Sequence, residues 1–287
     1  MKPLKIAAIT AAALGGLALA SYAAVWLLGE RIIARKYSVP AISITHSTDA
    51  AVIDHGRRMS EVAGCRGCHS ADLNGKLFGE ARFVYRMTTA NLPRLAATYS
   101  DEDFARSIRH GVKPNGRSVI GMPSPAFYDM RHEDLSAIIS YIRTMPDKGE
   151  RLPRSETWIL GRIEFLQGLY PPEASTIDHN APQRIYDFSN QLELGEYLAR
   201  IACSECHGIN FEGAPEGPGP GLPPDLMIAA AYPLDAFAHL LRTGEPLGGR
   251  DLELMDDVAR DRFIHFTDEE VEAIHAFLVD RAMKAAQ

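Results

Sequence analysis

The chain has 287 residues, 46% hydrophobic and 23% charged, an ordinary globular balance that excludes a long disordered protein and a polytopic membrane protein. Thirty basic against 37 acidic residues give a net charge of −7, which argues against nucleic-acid binding. Four cysteines are too few for a disulfide scaffold of this length. The charge is uneven: residues 190–287 carry 7 basic and 18 acidic groups, whereas residues 1–50 and 51–150 are net positive. The two ends therefore present different electrostatic faces.

The N-terminus comes first. Ile6 to Leu28 is a stretch of 23 residues without a charge, with Lys2 and Lys5 before it and Glu30, Arg31, Arg35 and Lys36 after it. At about 1.5 Å per residue it spans a hydrocarbon core of about 30 Å. A cleavable signal peptide is the competing reading, since Ala18-Leu19-Ala20 offers a cleavage site. Cleavage there would leave Ser21 to Leu28, with Trp26, as an apolar stub. Residues 1–36 are therefore expected to be an uncleaved anchor, either end of which is flanked by positive charge.

Two short motifs use every cysteine. Cys65-Arg66-Gly67-Cys68-His69 and Cys203-Ser204-Glu205-Cys206-His207 have the spacing of c-type haem attachment. Two thiols must reach the two vinyl groups on one porphyrin edge while the adjacent imidazole rises to the iron. Zinc ligands fall at longer paired spacings, and the strand-then-helix context of a thioredoxin-like pair is not evident. Two covalent haem c groups follow, and this chemistry places the chain outside the cytoplasm.

An internal repeat supports the pair. Gly75 and Gly213 each fall six residues after the motif histidine, and Phe104 to Gly111 matches Phe237 to Gly244. Eleven residues beyond those last glycines lie Met122 and Met255. Asp134 to Ile139 pairs with Glu270 to His275. A repeat at roughly 135-residue spacing predicts two similar domains rather than one large core.

Each copy reads as a few short helices. Gly56–Ala63 and Gly195–Ala202 lead into the motifs. Ser100 starts a helix that Gly111 stops. Leu135, Ile138, Ile139 and Ile142 form an apolar stripe ended by Pro146, and Thr267 with Glu270 makes a capping box before Val271, Ile274 and Leu278. Gly- and Pro-rich loops lie between, densest from Gly217 to Pro224. The fold class is all-α: residues 50–147 and 190–287 as two haem domains, 148–189 as a packed connector containing Trp158, Ile159, Ile163, Phe165 and Leu166, and an N-terminal transmembrane helix.

The sixth iron ligands are assigned from the repeat. Met122 and Met255 occupy the same offset in both copies, whereas Met87, Met130 and Met227 have no aligned counterpart and Met145 ends a helix. His110, His132, His239, His265 and His275 are the bis-histidine alternatives. The expected axial pairs are His69/Met122 and His207/Met255. Filling both axial sites favours electron transfer over oxygen or peroxide chemistry.

The chain resembles bacterial membrane-anchored dihaem cytochromes c built from two class I domains. Its first repeat, from Asn91-Leu92-Pro93 through Ser100 to Phe104 and Arg109-His110-Gly111 to Met122-Pro123, is similar to modules of the cytochrome subunits of periplasmic alcohol or aldehyde dehydrogenases. The resemblance covers about residues 50–147 and 190–282. It implies a non-enzymatic relay on the periplasmic side of the inner membrane, from a dehydrogenase or quinol donor to the respiratory chain through a cytochrome or oxidase acceptor. Those subunits usually carry three haems, and this chain has two motifs. Such domains commonly support the motif histidine through a proline carbonyl; the first copy lacks that proline, and Pro218 can fill the role in the second. The alternative is a dihaem enzyme of peroxidase-like type with one open coordination site, against which the paired methionines speak.

Overall fold

The computed structural model describes residues 2–149, 151–213 and 222–287 and is mostly helical. Helix α1 (Lys2–Ile33) is apolar and long enough to cross a membrane, and its apolar window is not buried in the protein. Two groups of short helices follow.

In the first group, α2 (Ala50–Val62) starts at Asp49, whose carboxylate accepts the Ala51 N–H. It stops at Gly64, in the left-handed region at φ +72°, and α3 (Cys65–His69) begins at once. A hairpin of β1 (Leu77–Ala81) and β2 (Tyr85–Thr88) pairs Glu80 opposite Arg86, whose side chains form an ion pair at 3.1 Å. Helix α4 (Leu92–Ala96) is capped by Asn91. Helix α5 (Asp101–His110) opens with a capping box between Ser100 and Asp103 and closes at Gly111 with φ +64°. After α6 (Ser124–Phe127), α7 (His132–Thr144) buries Leu135, Ile138, Ile139 and Ile142.

The connecting segment adds β3 (Glu156–Thr157) to the hairpin as a third antiparallel strand. It then forms α8 (Ile159–Gln167), which lies against the end of α1. The second group holds α9 (Gln191–His207), which runs unbroken through its cysteine motif. It continues with α10 (Leu234–Thr243), α11 (Leu254–Asp261) and α12 (Asp268–Ala285). Helix α12 opens with the Thr267–Glu270 capping box and buries Val271, Ile274 and Leu278.

The same close crossing occurs in both groups. Helix α2 crosses α7 at Gly56, where a Cβ would lie 1.8 Å from the Ala137 carbonyl oxygen; α9 crosses α12 at Gly195, where a Cβ would lie 2.0 Å from that of Ala273. Gly56 precedes His69 by thirteen residues and Gly195 precedes His207 by twelve. Gly64 is the extra residue: it breaks the first helix where the second continues.

Three features differ from the sequence expectation. A small three-stranded sheet accompanies the helices, because Tyr85 and Arg86 find partners in Thr157 and Glu156 some 70 residues on, beyond the reach of local pattern. In the connector, Phe165 is buried but Leu166 is 39% exposed. The buried side chains of both groups form one continuous cluster rather than two cores, because α6 packs on α9 and Tyr186 and Tyr197 fill the junction. At that junction the Tyr197 hydroxyl donates to Asp134, which also receives the His55 Nε2–H at 2.6 Å.

Gly195→Ala is expected to destabilise the fold by about 1–3 kcal/mol through overpacking, and Gly56→Ala likewise, in denaturant unfolding. Burial alone would raise the Asp134 pKa, but the bonds from His55 and Tyr197 outweigh it and hold the carboxyl below its ordinary value. Its contribution is therefore complete above the unfolded value of about 3.9 and is lost as pH falls through the lower folded value. Asp134→Asn should flatten the acid limb of the stability profile.

Candidate cofactor-attachment site

Spacing i, i+3, i+4 on a helix puts Cys65, Cys68 and His69 on one face of α3, and Cys203, Cys206 and His207 on one face of α9. All four cysteines are half-buried free thiols. Burial pushes Cys65 and Cys203 up to about 12 and, with Glu205, pushes Cys206 up to about 11; Arg262 opposes the rise at each. These thiols stay protonated at neutral pH, unlike the low-pKa thiolate of a redox Cys-X-X-Cys pair. Among the described residues, no three His, Cys, Asp or Glu side chains converge as a metal-ion cluster requires.

Each motif histidine is held by one backbone carbonyl. His69 Nδ1 lies 2.8 Å from the Ala90 oxygen, and His207 Nδ1 lies 2.8 Å from the Pro224 oxygen. A carbonyl only accepts, so Nδ1 carries the proton in both rings and Nε2 keeps a free lone pair. Burial lowers both imidazole pKa values, against the pull of those hydrogen bonds, and so favours the neutral ring.

The supporting turn is built the same way twice. Gly75 N–H donates to the His69 oxygen at 2.8 Å and Gly213 N–H to the His207 oxygen at 2.9 Å. Both glycines have positive φ, and a Cβ would lie 2.5 Å from the Thr89 oxygen or 2.6 Å from the Pro223 oxygen. The segment that carries the accepting carbonyl thus passes directly over each glycine. Leu92 N–H bonds the Leu73 oxygen and Leu226 N–H bonds the Phe211 oxygen, each at 2.9 Å. Ala90 therefore occupies in the first group the place of Pro224 in the second. Pro218, expected in this role, lies outside the described residues; the carbonyl that His207 engages is that of Pro224.

The two methionines sit in less similar backbone. Met122 lies in the turn before α6 and Met255 in the first turn of α11. Both pack against the common hydrophobic cluster, as do Cys65 and Cys203. The glycine that closes the preceding helix abuts each segment: a Cβ on Gly111 would lie 3.2 Å from Ser124 Oγ, and one on Gly244 would lie 2.9 Å from Asp256 Cα. Of the other candidates, Met130 is buried core and His132 is exposed. His110 bonds His179 at 3.1 Å, and His275 Nε2 bonds the Tyr232 oxygen at 2.8 Å. Met87 is different, because its sulfur would meet a Cβ on Gly121 at 2.7 Å, which puts a second thioether beside Met122.

The two motif segments lie side by side, and Arg262 joins them. Its Nε–H donates to the Val62 oxygen at 2.6 Å, just before the first motif. Its other nitrogens donate to the Ile201 oxygen at 2.9 Å and to the Glu205 carboxylate at 3.3 Å, before and within the second. It also packs on Gly64, where any Cβ would strike its guanidinium. Its positive charge works against the burial that raises the pKa of all four cysteines. A second bridge runs from Arg58 to Glu270 at 2.8 Å. Sequence patterning missed Arg262, the Ala90 and Pro224 carbonyls and the proximity of Met87, since all are contacts across long separations. The signals in the sequence for the carbonyls are the shared glycines Gly75 and Gly213 and, in the second copy, a nearby proline, though Pro224 and not Pro218.

The cytochrome c family model matches residues 192–281. The chain is 23% identical over 283 residues to the cytochrome c subunit of the quinone alcohol dehydrogenase of Komagataeibacter europaeus, covering 83% of this chain and 58% of that protein. It is 22% identical over 272 residues to the fructose dehydrogenase cytochrome subunit of Gluconobacter japonicus, covering 89% of this chain and 52% of that one. The gluconate 2-dehydrogenase cytochrome c subunit of Pantoea cypripedii is 22% identical over 289 residues, with 87% and 64% covered. The chain spans a little over half the length of the first of these relatives. It contains a cytochrome c domain, which implies covalently bound haem c, and it is homologous to cytochrome subunits of alcohol and fructose dehydrogenases.

Proposed function

We propose that the chain is a dihaem electron-transfer cytochrome with two tandem class I domains, residues 50–147 and 190–287, joined by residues 148–189. Cys65 and Cys68 would hold one haem c and Cys203 and Cys206 the other, with His69 and Met122 as the iron ligands of the first and His207 and Met255 as those of the second. Residues 1–36 tether it to the inner membrane with both domains in the periplasm. Its role is to pass electrons from a dehydrogenase or quinol donor toward a cytochrome or oxidase of the respiratory chain, without catalysis of its own. The observation that carries this reading is the twice-built turn in which a backbone carbonyl fixes the motif imidazole with Nε2 free.

The residues present fit haem c: each motif offers two neutral thiols on one helix face and one neutral imidazole. When bound, the group supplies a reversible one-electron couple at iron. The chain's own part is to hold it. The Nδ1–H bonds to Ala90 and Pro224 fix the ring planes and raise the donor strength of Nε2. Met122 and Met255 supply thioethers, which favour the ferrous state and so a high potential. Arg262 places one positive charge between the two motifs, which favours the reduced state at both.

Intact mass should show two haem increments; one increment would overturn the dihaem reading. Met122→Ala and Met255→Ala should each remove about half of the methionine-to-ferric-iron band and lower one of two midpoint potentials, while Met87→Ala leaves both unchanged. Loss of the band in Met87→Ala instead would move the first ligand to Met87. Arg262→Met should lower both potentials together, a signature no single ligand variant gives. It should also cost on the order of 2 kcal/mol of stability from the lost charged hydrogen bonds, and Arg262→Lys should restore the potentials more than the stability.

A further inference from the structure

We propose that α8 and the tip of the β1–β2 hairpin form a second, peripheral contact with the lipid bilayer, at the headgroup boundary beside α1. The proposal rests on the reading of α1 as a membrane anchor.

Helix α8 is apolar on the wrong side for a water-exposed helix. At 100° per residue, its buried residues Gly161, Arg162 and Phe165 share one face; Leu160, the half-buried Ile163 and Leu166 lie on the opposite side, which Gln167 also shares. Leu160 is 44% and Leu166 39% exposed, where a surface helix normally presents polar groups. The apolar strip continues past the helix into Leu169 and Tyr170, which are 50% and 56% exposed. It continues the other way into the hairpin: the Leu160 N–H donates to the Phe83 oxygen at 3.0 Å and the Trp158 N–H to the Val84 oxygen at 2.9 Å. Phe83, at the tip, is 54% exposed. A contiguous apolar surface of this kind marks an interaction site.

Its place in the fold points to lipid rather than protein. The buried face of α8 is fastened to α1 by Arg162, which stacks on the Trp26 ring at 3.9 Å, pairs with Glu30 at 2.9 Å and donates to the Trp26 oxygen at 3.3 Å. Gly29 allows the approach, since a Cβ there would lie 2.8 Å from Arg162 Cβ. From Trp26 to Ile33 the α1 axis rises only about 10 Å, so α8 sits where the uncharged stretch of α1 ends. The nearby cations are Arg31 and Arg35, which follow that stretch, and Arg82, which lies over the Phe83 ring at 4.6 Å; of the nearby acids, Glu30 pairs with Arg162, Glu80 and Glu156 pair with Arg86, and Glu164 lies on α8 itself. Aromatic and aliphatic side chains rimmed by arginines, beside the end of a span, suit the boundary between anionic headgroups and acyl chains.

The test is photolabelling of the full haem-loaded chain in nanodiscs of phosphatidylcholine and phosphatidylglycerol that contain a photoactivatable phosphatidylcholine, with adducts mapped by mass spectrometry. Lipid adducts are expected on residues 158–170 and 78–86 as well as on α1, and not on α12. The double variant Leu160→Asp/Leu166→Asp should cut labelling of 158–170 several-fold while α1 stays labelled. Adducts on α1 with none on α8 or the hairpin would overturn the proposal and leave the strip to a protein partner. No adducts on α1 would overturn the anchor reading itself.

Discussion

Two helix crossings that tolerate no side chain govern where the motifs sit. The helix leading into each Cys-X-X-Cys-His segment passes over the last helix of its group with a glycine Cα against an alanine carbonyl. At that separation the apolar stripes of α7 and α12 can close over α2 and α9, and burying residues such as Ile138, Ile139 and Ile274 offsets the entropy cost of glycine in a helix. The consequence lies about two to three turns further on. Because the crossing fixes the rotation and height of the leading helix, it fixes where the thiols and the imidazole emerge. The carbonyls of Ala90 and Pro224 then restrain each imidazole from the other side. An imidazole held from both directions has little freedom to reorient.

How much of this the sequence shows depends on the range of each interaction. The capping boxes of α5 and α12, the Gly111 stop and the stripe on α7 are local, and they read directly from residue order. Gly56 and Gly195 read as helix members, but the partner carbonyls lie some 80 residues away, so the close approach leaves no local mark. Gly64 is instructive: the repeat aligns well around the motifs, yet its left-handed backbone breaks α2 from α3 where α9 runs straight through. The hairpin was illegible because its third strand is two residues long and comes from the connector. Proline chemistry suggested Pro218, whereas chain geometry over Gly213 selects Pro224.

The single hydrophobic cluster changes how the repeat should be understood. Duplicated units with separate cores would move independently. Here Tyr197 of α9 reaches the Asp134 carboxylate of α7, Arg58 of α2 pairs with Glu270 of α12, and Arg262 bonds backbone on both sides. Mutual orientation is therefore set by buried, directional contacts rather than by the connector. A junction of this kind holds the two motif segments in a fixed relation to each other.

The charge distribution follows the same axis. Seven of the eighteen acidic groups in residues 190–287 lie in the first turns of α9, α10, α11 and α12, where the helix dipole favours them. They serve local stability whatever else they do. Their sum is nevertheless a strongly negative second group, set against a first group and an α1 terminus that are net positive. Anionic lipid attracts the positive end and repels the negative one. With α1 as the proposed anchor, that field would turn the second group and its motif away from the bilayer, and the fastening of α8 to α1 would hold that orientation. The two ends of the chain thus differ in apolarity as well as in charge, with the long apolar helix at one end and the acidic surface at the other.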